Sequence, residues 1–255
     1  MWLWRSTIAA VGRRLRVGVC QAPEFLGDPT RALACIEEFA EHGDEQDADL
    51  LVFPECFLQG YLVEDEHVHR HALDLGSAAF ASVLRMLKRI EQVLVFGIIE
   101  RQGDRYFNAA VLVARGELVG VYRKTHLVAG ESLFHSGDAY PTFTLQRTRF
   151  GINICHDTQF PEAAAAVAAQ GAQLLLVPAQ NMMRRDAANR WKDLHHQIRT
   201  ARVRETGMWL ASADVTGERD EHRVGYGPTS VISPRGEVVA QVPFMSKGMA
   251  VADIA

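Results

Sequence analysis

Three polar residues each stand at the exit of an apolar run that reads as a buried strand: Glu55 after LLVFP, Lys124 after LVGVYR and Cys155 after FGINI. A carboxylate, an ammonium and a thiol delivered to one end of a sheet supply a general base, a fixed positive charge and a nucleophile. Those are the parts needed to break a carbon–nitrogen bond through a covalent intermediate. Taken singly, each has a plainer reading: a thiol in an apolar run is usually inert packing, a lysine is usually surface charge, and a glutamate after a strand is a solvated end. Cys155 gains from its setting. A strand ends there and a helix starting at Pro161 follows, which places the sulfur at a sharp strand-to-helix turn with backbone N–H groups near it to receive an oxyanion. Cys56 is the competing thiol. On a continuing strand its side chain points opposite to Glu55, which assigns it to packing.

The elements that must position these residues alternate between strand and helix. LRVGVCQ reads as a strand, and Asp28-Pro29 opens a helix through about Ala40 with Asp28 as cap and Pro29 at the first helical position. DLLVFPE is the next strand, Gly76 to Glu91 carries apolar residues at helical spacing, and VLVFGIIE and NAAVLVARGELVGVYRK follow as strands with a turn at ARGE. The second half repeats the scheme. RFGINICHD is a strand, PEAAAAVAAQ a helix between Pro161 and Gly171, AQLLLVPAQ a strand, and Asn189 to Glu205 a long helix before MWLASAD and a hairpin at GPTSVIS-PRGE-VVAQVP. Two such halves predict an α/β fold built as a four-layer α-β-β-α sandwich with an internal pseudo-two-fold repeat. Residues 15–255 read as one domain, and residues 1–14 as a short N-terminal extension without a signal-peptide cleavage pattern.

Composition agrees with an enzyme of this size. A chain of 255 residues, 48% apolar, can bury a full core, and it has no apolar stretch long enough to span a bilayer. The net charge of −4 with both signs interspersed offers no basic face for nucleic acid. Its four cysteines lack CxxC spacing, which argues against a zinc site and a disulfide scaffold and points to a reducing, cytoplasmic setting. His67, His69 and His71 alternate in HVHRH and would share one side of a strand, but their flanks read as a loop entering a helix, so no metal is assigned. GYGP lacks the context of a nucleotide loop. Arg184 and Arg185 are either receptors for an acidic substrate group or a solvated pair.

In their wider settings, VFPECFLQGY, YRKTHL and GINICHDTQFPE, the three residues resemble the Glu-Lys-Cys triad of the nitrilase superfamily, the carbon–nitrogen hydrolases. The resemblance runs from LRVGVCQ to PRGEVVAQVP and includes GAQLLLVP, ARVRE and ISPRGEVVA. It implies the same sandwich fold, a chemistry without cofactor or metal, and a homodimer or larger assembly, for which the long helix from Trp191 to Val203 offers a face. It also implies that Glu55 is the base, that Cys155 forms a thioester, and that Lys124 and the backbone N–H of His156 steady the oxyanion. Glu131, in KTHLVAGES, falls where many members carry a second carboxylate that positions substrate and lysine. Lys124 between two carboxylates would keep Glu55 poised and favour a thiolate.

Two positions depart from the pattern. AAAAVAAQ follows FPE where many relatives carry an arginine, and Asp214 in WLASADVTG stands near a common asparagine. CHD followed by FPE looks more like amidase-type relatives than the CWE setting of nitrile-hydrolysing ones. The resemblance therefore implies a thiol hydrolase acting on a small amide. Nitrile hydrolysis and a catalytically silent binding or scaffold role are the alternatives.

Overall fold

The structure, a computed structural model, describes residues 13–255. Most of the expected N-terminal extension lies outside the described residues; within them Arg13 pairs with Asp49 at 2.5 Å. The first half runs β1 (Leu15–Gln21), α1 (Pro29–Glu45), β2 (Leu50–Val52), α2 (Asp65–His71), α3 (Ala78–Met86), β3 (Val93–Gln102), β4 (Arg105–Ala114) and β5 (Glu117–Arg123). The second runs β6 (Thr142–Leu145), β7 (Thr148–Ile152), α4 (Pro161–Ala168), β8 (Leu174–Pro178), β9 (Met183–Arg184), α5 (Arg185–Thr206) and β10 (Trp209–Ala213). It continues through β11 (Thr216–Glu218), β12 (Arg223–Tyr226), β13 (Ser230–Ile232), β14 (Val238–Gln241) and β15 (Gly248–Ile254).

Two six-stranded sheets result, ordered β15-β1-β2-β3-β4-β5 and, read from the matching edge, β6-β7-β8-β10-β13-β14. Each opens with an antiparallel pair, β15 with β1 and β6 with β7. Each continues with three parallel strands, β1-β2-β3 and β7-β8-β10, and closes with two antiparallel pairings. The closing hairpins even share a register irregularity, at Leu112/Val113 and at Val231/Ile232. This is the internal repeat that the sequence suggests. β9, β11 and β12 form a small separate sheet.

Three apolar interfaces make four layers. Val17, Leu50, Val52 and Val95 from one sheet meet Phe150, Ile152, Leu174, Leu176 and Ala211 from the other. On the outer face of the first sheet, Leu33, Ile36 and Phe39 of α1 and Phe80 and Val83 of α3 cover Leu51, Phe96 and Val111. Ala164 and Val167 of α4 and Val203 of α5 cover Leu175, Val177 and Leu210 on the second. Strands buried on both faces carry continuous apolar runs, which is why LLV and LLLV are not alternating. The helix signals also hold: the Asp28 carboxylate accepts the Arg31 N–H at 3.1 Å with Pro29 at the first helical position, and Gly207 closes α5 at φ 70°.

One expectation changes and two readings become more definite. The strand read as DLLVFPE stops at Val52, and Glu55 lies in the turn beyond it. The three histidines lie on α2, with the His67 and His71 rings 4.7 Å apart and His69 against Tyr106, and among the described residues no group of three side chains is placed to hold a metal ion. Arg185 pairs with Glu218 at 3.0 Å and Arg184 is exposed. Among the described residues no helix is long and apolar enough to cross a membrane.

Leu176 is fully buried between the sheets. Leu176→Ala should lower unfolding stability by about 2–5 kcal/mol, the range for a core leucine whose cavity collapses only in part, measured by chemical denaturation.

Candidate active site

Lys124 is the first residue after β5, and its backbone N–H donates to the Asn108 carbonyl at 2.8 Å. The preceding Arg123 fixes the strand end by a paired contact with Glu100 and by lying over the Phe107 ring at 4.1 Å. The lysine side chain therefore points inward. Its Nζ donates to Glu55 Oε1 at 2.7 Å and lies 3.0 Å from both carboxylate oxygens of Glu131. Asn108, on β4, completes the cluster: its Nδ2 donates to Glu55 Oε1 and Glu131 Oε1, each at 2.7 Å. The second Glu131 oxygen accepts the Val128 N–H at 2.9 Å. All four residues are buried, which makes each of these charged contacts strong and each unpaired alternative costly.

Glu55 owes its position to a close backbone approach. Gly97 on β3 donates to the Pro54 carbonyl at 3.0 Å, and a Cβ there would sit 2.1 Å from the Cys56 backbone nitrogen. Cys56 adopts φ 46°, so the chain turns at once instead of extending. Its sulfur lies 3.4 Å from Asn108 Oδ1, the face of that amide left over by the carboxylates. Cys56 is therefore a hydrogen-bonding partner of the cluster as well as packing, because the strand on which the packing expectation rested has ended.

Cys155 begins a 3-10 turn, Cys155–Gln159, at φ 41°, a left-handed conformation costly for a residue with a side chain. It is partly exposed, unlike the cluster. Its sulfur lies 3.8 Å from Asn181 Oδ1, near enough to Glu55, Lys124, Asp214 and the Gln180 backbone amide for each to act on it. Burial, with the negative charge of Glu55 added, pushes the thiol well above its ordinary range, and Lys124 opposes this only in part. Lys124 thus favours the thiolate, as the sequence reading has it, while burial and Glu55 act against it. Burial also raises Glu55, against the pull of Lys124 and with the push of Glu131. For Lys124, burial disfavours the ammonium, but Glu55 and Glu131 outweigh it and hold the group protonated. Among the described residues the His156 backbone N–H has no acceptor.

One buried carboxylate joins the lysine loop to the cysteine turn. Asp157 Oδ2 accepts the Tyr122 hydroxyl at 2.7 Å and the Ile154 N–H at 2.8 Å, while Oδ1 accepts Thr125 Oγ1 at 3.0 Å and the His126 N–H at 2.8 Å. His126 in turn stacks on Phe160, with ring centroids 3.9 Å apart. The structure thus gathers Glu55, Lys124 and Glu131 into one cluster facing Cys155. Sequence reasoning missed Asn108 and Asp157. Asn108 had a signal, an amide inside an apolar strand that must be hydrogen-bonded; Asp157 lay inside a quoted motif with no role attached.

A family model described as carbon-nitrogen hydrolase matches residues 16–255. An (R)-stereoselective amidase from a Pseudomonas species is 30% identical, over 76% of this chain and 68% of the relative. An omega-amidase from Homo sapiens is 29% identical, over 83% of this chain and 77% of the relative. Among solved structures, a variant of the amidase from Nesterenkonia sp. AN1 with acrylamide added at its active-site cysteine superposes with a TM-score of 0.81 at 26% identity, covering 94% of this chain and 93% of that one.

With four donors converging on it, Asp157 tolerates no amide in its place. Asp157→Asn turns one oxygen into a donor that meets other donors, and should cost about 1.5–3 kcal/mol in stability together with most of the thiol reactivity at Cys155. Denaturation and alkylation rates measured on the same preparation check both.

Proposed function

The chain belongs to the carbon–nitrogen hydrolase family, and from that premise we propose that it hydrolyses a small amide through a thioester at Cys155. The observation that carries this reading is the buried Glu55–Lys124–Glu131 cluster set against a partly exposed thiol at a left-handed turn. In the proposed cycle the Cys155 sulfur attacks the amide carbonyl as its proton passes to Glu55. The oxyanion is held by the Lys124 ammonium and the His156 backbone N–H. Glu55 returns its proton to the departing ammonia or amine, leaving a thioester, and then takes a proton from water as the water attacks. Collapse of the second oxyanion releases the acid and restores the thiol, with Glu131 and Asn108 fixing the base and the lysine throughout. No metal or cofactor enters the cycle.

This cycle sorts the variants. Cys155→Ala should fold and be inactive. Glu55→Gln keeps the shape without the proton transfer and should lose about 10²–10⁴-fold in kcat. Lys124→Met should lose roughly 10²–10³-fold, as for other oxyanion donors. It should also slow iodoacetamide labelling of Cys155 near neutral pH, because removing the cation raises an already raised thiol and leaves less thiolate. Ammonia release from a panel of amides, carbamoyl amino acids and nitriles is the primary assay. Turnover of nitriles alone would replace the amide reading, and an unlabelled Cys155 with no turnover would favour a silent binding protein.

We also propose a homodimer or larger assembly, supported by the length of α5, and a cytoplasmic setting, supported by four cysteines without disulfide spacing. Arg199, Arg202 and Val203 of the expected face turn into their own sandwich, and Leu194 is among the exposed residues left for a partner. A sedimentation mass of one chain at micromolar concentration would remove the dimer.

A further inference from the structure

Asn181 follows β8, and its side-chain carbonyl oxygen stands 3.8 Å from the Cys155 sulfur. A carboxamide can be turned to present either its oxygen or its NH2 group, so something must choose. Its Nδ2 donates to Asp214 Oδ2 at 2.5 Å, and its backbone N–H donates to Asp214 Oδ1 at 2.9 Å. The turned amide would set oxygen against a carboxylate oxygen at that distance with no proton between them. Asp214 also accepts the Val215 N–H at 2.9 Å and faces Arg199 Nη2 at 3.3 Å. Donors surround both of its oxygens, so the geometry accommodates the ionised form even though burial pushes the group up. Arg199 reaches there from α5, pinned by Ser212 Oγ at 2.9 Å and by the Pro228 carbonyl.

We propose that Asp214, neutralised by Arg199, is a positioning residue that locks Asn181 with its carbonyl oxygen toward the Cys155 sulfur. The inference rests on the reading of Cys155 as nucleophile. An acceptor in that place takes the thiol hydrogen and withholds an amide donor from the sulfur. A donor there would stabilise the thiolate and dull it, since nucleophilicity falls as thiol pKa falls. Asparagine at position 214 would keep its oxygen on the Asn181 and Val215 N–H groups and present its NH2 to the Asn181 side chain, favouring the turned amide; the carboxylate permits only the present one. The other groups facing the sulfur are Glu55, Lys124 and the Gln180 N–H, with His156 beside it in its own turn.

The test compares Asp214→Asn with the double variant Arg199→Met/Asp214→Asn, which also removes the cation that the single change would leave unpaired. Each is followed by thermal unfolding, amide turnover and the pH dependence of iodoacetamide labelling at Cys155. Removing the negative charge and freeing the amide to turn both favour the thiolate, so the labelling midpoint should move down by about one pH unit or more, with kcat lower by roughly tenfold. In the double variant, stability should return toward wild type while midpoint and kcat stay displaced. A double variant with wild-type midpoint and kcat makes the pair purely structural and overturns the proposal. So does a lower kcat with an unmoved midpoint, which loosened packing alone would give, and so does a double variant that fails to fold, since removing both partners of a buried pair together is usually tolerated. A wild-type protein that is not labelled at Cys155, or an active Cys155→Ala, defeats the nucleophile reading instead.

Discussion

A lysine ammonium buried between two carboxylates is the constraint on which the rest depends. Lys124 and its partners are each almost fully excluded from water, and taking one such ion out of water costs several kcal/mol before any contact is made. The cost is offset only if every oxygen and proton has a partner at good geometry. That requirement reaches outward: Asn108 must present its NH2 to both carboxylates, Cys56 must serve the amide oxygen behind it, and Val128 must donate to the far side of Glu131. Residues from β4, the turn after β2, the exit of β5 and the following loop are thus held in one network. The local arrangement is rigid because any loosening leaves a buried charge unpaired.

The backbone around this network is shaped by two departures from ordinary conformation. Cys56 and Cys155 both hold positive φ without being glycine, and such residues persist only where their surroundings over-determine them. For Cys56 the surroundings are Gly97, whose missing side chain admits the turn. For Cys155 they are Asp157, which receives the Ile154 N–H just before the turn and ties the far side to Thr125 and His126. The sulfur is consequently carried by a turn braced against the same loop that follows the lysine.

Much of this was legible in the residues. Parallel strands buried on both faces write themselves as apolar runs, and a polar residue at the exit of such a run is placed at the sheet end where sites form. That rule found Glu55 and Cys155, and applied evenly it points also to Asn181 after LLLVPAQ and Asp214 after WLASA, whereas Lys124 leaves an antiparallel edge strand, β5, whose run is also apolar. What it could not give was partnership. Whether the Asn108 amide faces carboxylates, whether Arg199 lies inside or outside its helix, and where β2 stops are settled by contacts between segments far apart in sequence, which local pattern does not encode. The balance of forces on the Cys155 thiol is of the same kind: the cation was visible in sequence, but the burial and the neighbouring carboxylate that oppose it are tertiary.

The pairing of β15 with β1 bears on how such a chain reaches its native state during synthesis. Leu15 sits opposite Ile254 and Gln21 opposite Gly248, so the strand that begins the first sheet waits for one made long after it. Until then one side of β1 offers unpaired backbone groups to any extended segment nearby. The remaining strands of that sheet follow within the first half and can assemble early. The final closure is a long-range event, slow because a loop of most of the chain must be ordered at once. The vulnerable stage of this sheet is the one before β15 arrives, when an unpaired margin is open to aggregation.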